Sequence, residues 1–159
     1  AVAAASPKIE LAVFDLPAVA ERARRVFEAQ GLSGRATAIG GSFFDASVQH
    51  EADLISLVRI LHDHDDHAVE QILKVAFRAL EPGGKLIVCE PMSTDGGARR
   101  IADAYFNVYL YAMGSGRPRS PAILTQMLES TGFSSVQRIK TRSPFVTSMH
   151  CAHKSTDQV

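Results

Sequence analysis

The stretch that decides the fold runs from residue 52 to 92: ADLISLVRILHDHDDHAVEQILKVAFRALEPGGKLIVCEPM. Its first part, 52–61, is almost wholly apolar, and so is its last, 85–92. Between them lie a run of histidines and aspartates and a segment with apolar residues at three- and four-residue spacing. Two short apolar strands joined by an amphipathic helix predict a parallel pair in a sheet covered on both faces. The helix is expected to begin near His67 and to stop at Pro82-Gly83-Gly84.

The same alternation continues on both sides. KIELAVFDL (8–16) reads as a buried strand ending in Asp15. PAVAERARRVFEAQGL (17–32) comes next as a helix, with Pro17 in its first turn and Gly31 at its end. GRATAIGGSFF (34–44) is a second strand that leaves through a Gly-Gly turn. Downstream, 98–116 reads as a long helix rich in aromatics. SPAILTQMLESTGF (120–133) is another, with Ser120 as cap and Pro121 at the first position. SSVQRIKTR (134–142) and PFVTSMHCAHK (144–154) suit an antiparallel hairpin closing the edge of the sheet. One domain over 1–154 and a tail over 155–159 account for the chain.

The 159 residues carry 17 basic and 17 acidic side chains, so no net field draws the chain to nucleic acid or anionic lipid. No apolar run approaches the roughly 18–20 residues of a membrane span. Cys89 and Cys151 lie in apolar runs and form no spaced framework. They are expected to be buried thiols in a reducing, cytoplasmic compartment.

In open α/β sheets, ligands bind outside the carboxyl ends of the strands. Asp15, Gly40–Phe44, His62–Asp66 and Glu90 all end apolar runs, which predicts a common rim. The run HDHDDH (62–67) allows three readings: a metal site, a proton-handling site, or the cap of the adjoining helix. Histidine and aspartate are proper zinc ligands, and H-x-H-x-D-H is a hydrolase signature. The run passes straight into a helix, however, and only His150 and His153 lie downstream as further ligands. The metal assignment is therefore set aside in favour of no metal.

Taken together, FDLP, GGSFF, ILHDHDD and LEPGGKLIVCEP stand in the order and spacing of the S-adenosylmethionine-dependent small-molecule O-methyltransferases of plants and bacteria, which the chain resembles. GARRIADAYFNVYLYAMGSGRPRS (97–120) resembles more narrowly the bacterial carotenoid branch, the hydroxyneurosporene (demethylspheroidene) O-methyltransferases. The resemblance implies a Rossmann-like class I methyltransferase fold, α/β, with a mostly parallel sheet and a C-terminal antiparallel hairpin. It also implies a first strand, a Gly-rich turn and an N-terminal dimerisation domain ahead of FDLP, which this sequence does not show. A truncated form with two unpaired strand edges, weak or absent S-adenosylmethionine binding and a tendency to homo-oligomerise is expected.

The resemblance assigns roles by position. Asp15 would accept the ribose hydroxyls of S-adenosylmethionine; its competing role is a helix cap before Pro17. Leu16 would flank the adenine, and Gly41, Ser42 and Phe43 would form the adenine side, with Ser42 and Phe43 where relatives have Asp and Met. Val58 stands where many plant relatives have a cofactor-contacting lysine, with Arg59 beside it. His62 would be the general base and Glu90 the acid that orients it; a second family glutamate falls at Pro118. Phe106, Tyr109 and Met113 share a helix face that would line the acceptor pocket, or simply pack the core. Asp65 or Asp66 would cap the helix, His64 would be packing, and Arg99, Arg100, Arg117 and Arg119 would be solvated. The implied activity is methyl transfer to a hydroxyl of a small apolar acceptor such as a hydroxylated carotenoid. The alternatives are another pigment or polyketide as acceptor, and a non-catalytic oligomerising domain.

Overall fold

The 52–92 stretch folds as strand, tight turn, helix and strand. The computed structural model describes residues 2–45, 51–92, 108, 116–141 and 147–156. The chain divides into two compact units, Ala1–Val48 and Gln49–Val159. The long aromatic helix expected over 98–116, with Phe106, Tyr109 and Met113, lies outside the described residues apart from Val108 and Gly116.

In the first unit, helix α1 (Val2–Ala5) precedes strand β1 (Leu11–Asp15), helix α2 (Pro17–Ala29) and strand β2 (Ala36–Gly40). The two strands pair in parallel from Leu11↔Ala36 to Asp15↔Gly40. Pro17 opens α2, where its missing N–H costs nothing. The Arg35 guanidinium ties α1 and the segment up to β1 to the rest of the unit. It donates to the carbonyls of Ala3, Ser6 and Ile9 at 2.6, 3.3 and 3.2 Å.

The second unit holds strand β3 (Ala52–Val58), a 3-10 turn (Leu61–Asp63), helix α3 (Asp66–Ala79), strand β4 (Leu80–Glu90), helix α4 (Pro121–Thr131), and strands β5 (Ser134–Ile139) and β6 (Ser148–His153). The sheet order is β3-β4-β6-β5. β3 and β4 are parallel, whereas β6 runs antiparallel to both β4 and β5. Among the described residues the strands form two sheets, with β1 paired only to β2 and β3 only to β4, in keeping with the two unpaired strand edges expected. The C-terminal hairpin forms as expected, and it is β6 that meets β4.

Helix α3 shows why its sequence is helical. Asp65 is its N-cap and accepts from the Ala68 N–H at 2.8 Å. Val69, Ile72, Leu73 and Ala76 recur at the spacing of one helical face, and all are buried. Helix α4 is capped by Ser120 and ends at Gly132, whose φ of 112° suits the left-handed C-terminal position. Phe77 of α3 meets Phe133 edge-on at 4.9 Å. Leu61, Leu73, Leu80, Leu86, Val88 and Leu128 complete the core of this unit.

Three expectations change. Helix α3 ends at Ala79 rather than at the Pro82-Gly83-Gly84 triplet. Pairing with β3 begins at Leu80, shifts register between Ala52 and Leu54, and resumes at Lys85. The glycines are used as strand: Gly83 N–H donates to the Lys154 carbonyl at 3.1 Å, and Lys154 N–H to that of Gly84 at 2.9 Å. Strand β3 stops at Val58, because Arg59 takes a left-handed φ of 57°. Cys89 and Cys151 are free thiols but half-buried rather than buried. Burial, with the nearby Glu90 charge adding to it, pushes the Cys89 thiol up. Among the described residues no helix is long and apolar enough to cross a membrane.

Candidate active site

Two of the candidate residues, His62 and Glu90, meet in the second unit. Glu90 is the last residue of β4, on the buried face of the sheet, and is 4% exposed. One carboxylate oxygen, Oε1, accepts from the backbone N–H groups of Ile60 and Leu61, both at 2.8 Å. The other, Oε2, lies 2.6 Å from His62 Nδ1. A buried carboxylate must have its lone pairs satisfied. Here two amides and one imidazole satisfy it, and the same three contacts hold the turn and the ring in place.

His62 is 3% exposed and sits in the middle of the 3-10 turn. Because Glu90 is an acceptor, it selects the tautomer with the proton on Nδ1, leaving the lone pair on Nε2. Nε2 lies 3.3 Å from Asp63 Oδ1. An imidazolium formed by proton uptake at Nε2 would therefore stand between two carboxylates. A void of about 10 Å³, room for one water, opens beside His62 and Glu90 and is bordered by Pro91, Met92, Arg117 and Arg119.

The rest of the HDHDDH run has other employment. The His64 carbonyl accepts from Arg119 at 2.8 Å. Asp65 caps α3, and Asp66, its first residue, pairs with Arg117 and Arg119. His67 faces Gln71 along the helix at 2.9 Å. Among the described residues no three His, Cys, Asp or Glu side chains converge as metal ligands. The hydrogen bond from Arg117, against the opposing effect of burial and with Arg119 adding to it, holds the Asp66 carboxyl below the usual carboxylate range.

Arg119 departs from the solvated role expected of it and is 5% exposed. It donates to the carbonyls of Leu61 and His64, both at 2.8 Å, and to Asp66 Oδ1 at 2.9 Å. Burying a guanidinium is costly unless its fork is filled, and here it is filled. Nothing in the local pattern signals this, since Arg119 and Leu61 lie 58 residues apart in the chain. Arg117, by contrast, is about half exposed.

His150, named from the sequence only as a downstream metal-ligand candidate, is a second buried polar residue. It is buried in β6, opposite Val88, two pairs along from Glu90↔Ser148. Its Nδ1 is buried without a hydrogen-bond partner among the described residues. Burial first, and the Arg138 charge second, lower its pKa.

Asp15, Leu16, Gly41, Ser42 and Phe43 lie in the first unit, at the carboxyl ends of β1 and β2. Gly41 N–H donates to the Asp15 carbonyl at 2.8 Å, so the two strand ends sit side by side. Asp15 does not cap α2. The N-cap position is Leu16, with no side-chain cap, and Asp15 Oδ1 accepts from the Leu16 N–H at 2.7 Å. Leu16 is exposed. A side chain at Gly41 would run into the Phe14 ring, which itself meets Phe43 edge-on at 5.7 Å. Ser42 turns the chain onward, its Oγ accepting from the Phe44 N–H at 3.2 Å. A carboxylate beside a bend without a side chain fits a ribose and its base: Asp15 would hold the hydroxyls, and Leu16 and Phe43 would flank the ring.

Comparison with known proteins adds independent findings. Residues 1–134 match the O-methyltransferase domain family. Demethylspheroidene O-methyltransferase of Rhodobacter capsulatus is 44% identical over 150 residues, covering 93% of this chain and 36% of that protein. The Cereibacter sphaeroides protein of the same name is 44% identical over 159 residues, covering 99% and 41%. The chain thus spans well under half the length of these relatives. Among solved structures, human N-acetylserotonin methyltransferase in complex with SAM superposes with a TM-score of 0.81 at 25% identity, covering 97% of this chain and 43% of that one.

Proposed function

The chain belongs to the O-methyltransferase domain family, and from that membership we propose that its protein transfers a methyl group from S-adenosylmethionine to a hydroxyl of a hydroxylated carotenoid such as hydroxyneurosporene. The observation that carries the chemistry is the buried contact of His62 Nδ1 with Glu90 Oε2 at 2.6 Å. The acceptor class is supported by the 44% identity to two demethylspheroidene O-methyltransferases.

When bound, S-adenosylmethionine supplies an electrophilic methyl group. The chain supplies the base. Glu90 keeps the Nδ1 proton in place, so Nε2 is the nitrogen that takes the acceptor's hydroxyl proton as the oxygen attacks. A tertiary alcohol is a poor acid, so the base must be held ready, and much of the rate should come from alignment. Asp15, Leu16, Gly41, Ser42 and Phe43 would hold the adenosine end. Phe106, Tyr109 and Met113 would form the wall for the apolar acceptor. A cytoplasmic homo-oligomer completes the reading. Self-association is supported by the exposed apolar side chains Leu54 and Val58 on β3 and Ile139 on β5, and light scattering on the intact protein tests it.

The deciding experiment measures transfer of labelled methyl from S-adenosylmethionine to hydroxyneurosporene by the intact protein. His62→Ala should lower kcat by about 10²–10⁴-fold, the usual contribution of a positioned base. A His62→Ala protein as fast as the wild type would end the proposal. A serotonin- or quinone-type phenol methylated in preference would move the acceptor to another class.

A further inference from the structure

The turn that carries His62 is gripped from two sides by buried charges of opposite sign. Glu90 takes its amides, at Ile60 and Leu61. Arg119 takes its carbonyls, at Leu61 and His64, which bracket His62 in the chain. The guanidinium is in turn anchored on Asp66, through Nε at 2.9 Å and Nη2 at 2.8 Å. Asp66 is the first residue of α3, so the fork ties the turn to the start of the helix. The segment that delivers Arg119 lies directly against the same turn. Gly116 has a φ of 90°, and a side chain there would collide with the His62 carbonyl oxygen and the Asp63 backbone.

We propose that Arg119 is the positioning residue for the His62 base. A 3-10 turn of three residues makes few bonds of its own and is intrinsically tolerant of several conformations. Glu90 fixes its amide side and one ring nitrogen, and Arg119 supplies the matching grip on its carbonyl side. Without the planar fork the carbonyl side of the turn is free to shift, which loosens the ring from Glu90 Oε2 and costs Nε2 its fixed direction. Lysine cannot substitute, because one ammonium cannot span two carbonyls and a carboxylate in a fixed plane.

The test combines spectroscopy and kinetics on the intact protein, and only its kinetic arm rests on the methyl-transfer reading. Arg119→Lys and Asp66→Asn are compared with the wild type by long-range ¹H–¹⁵N correlation of the histidine rings, the His62 signals being identified by their loss in His62→Ala. In the wild type the His62 signals should show the proton on Nδ1, where Glu90 accepts it. In Arg119→Lys the ring should move toward the tautomer mixture of a free imidazole, and Asp66→Asn should move it the same way by less. Kinetically, Arg119→Lys should lose about 10- to 100-fold in kcat with KM for S-adenosylmethionine within about twofold, as expected of a misplaced base rather than a lost binding contact. Should Arg119→Lys fail to fold, Asp66→Asn keeps both carbonyl bonds and still reports on the anchor. Wild-type His62 nitrogen shifts in every folded variant would overturn the proposal, as would a kcat loss that only tracks the folded fraction. A protein that transfers no methyl group at all would sink the reaction assignment while the ring signals still decide the role of Arg119.

Discussion

At the level of single residues, the buried pair is the sharpest feature. Glu90→Gln tests its logic. A glutamine oxygen can still accept from the Ile60 and Leu61 amides, but its NH₂ then faces His62 Nδ1 and favours the wrong tautomer. We expect kcat to fall by about 10²–10⁴-fold, as if the base were lost, with an unchanged far-ultraviolet spectrum. His62 and Glu90 are legible as candidates because each ends an apolar run within a familiar order of motifs. Arg119 is not, since its partners are backbone carbonyls, which every residue carries, and the contact closes across 58 positions. His150 is equally hidden: an alternating strand pattern says which residues face inward, not that one of them is a histidine tolerated there.

Secondary-structure elements show where local chemistry suffices. Of the two aspartates the sequence offers as cap, Asp65 is the one that caps α3, so Asp65→Ala should cost about 1 kcal/mol, read from the urea midpoint. Ser120 with Pro121 opens α4 for the same local reasons. The bend after β2 is different. Gly41 is required by the Phe14 ring rather than by its own torsions. Gly41→Ala should destabilise by about 1–3 kcal/mol, the usual cost of overpacking, and thermal unfolding will show it. The Pro82-Gly83-Gly84 triplet misleads because glycine and proline signal a break locally. The bonds of Gly83 and Gly84 to Lys154 come from the residue just past β6, about seventy positions further along.

For the molecule as a whole, pH dependence separates two interactions, one buried and one nearly half exposed. His150 is buried without a partner for Nδ1 among the described residues, and its folded pKa is lowered, so the unfolded chain binds the proton more readily. Stability should therefore fall as pH drops below about 6.5, by up to about 1.4 kcal/mol per unit. It should level off below the folded pKa. His150→Leu should flatten this limb in urea titrations between pH 8 and 5. Asp66, held low chiefly by Arg117, acts at the other end: its contribution is present above the ordinary aspartate range and is lost as pH falls through the depressed value. Being nearly half exposed, it should weigh less than His150.

The order of four short motifs carried the resemblance that implied a methyltransferase and paired His62 with Glu90; hydrophobic periodicity and caps were enough for an α/β fold, the parallel β3–β4 pair and the C-terminal hairpin. These are properties of neighbours in the chain, where spacing alone dictates which face is apolar and where a helix may begin. The buried guanidinium behind the His62 turn and the buried imidazole in β6 arise from contacts between distant segments. Such contacts are chosen by how surfaces and charges fit once the core has formed, and no local pattern encodes that fit.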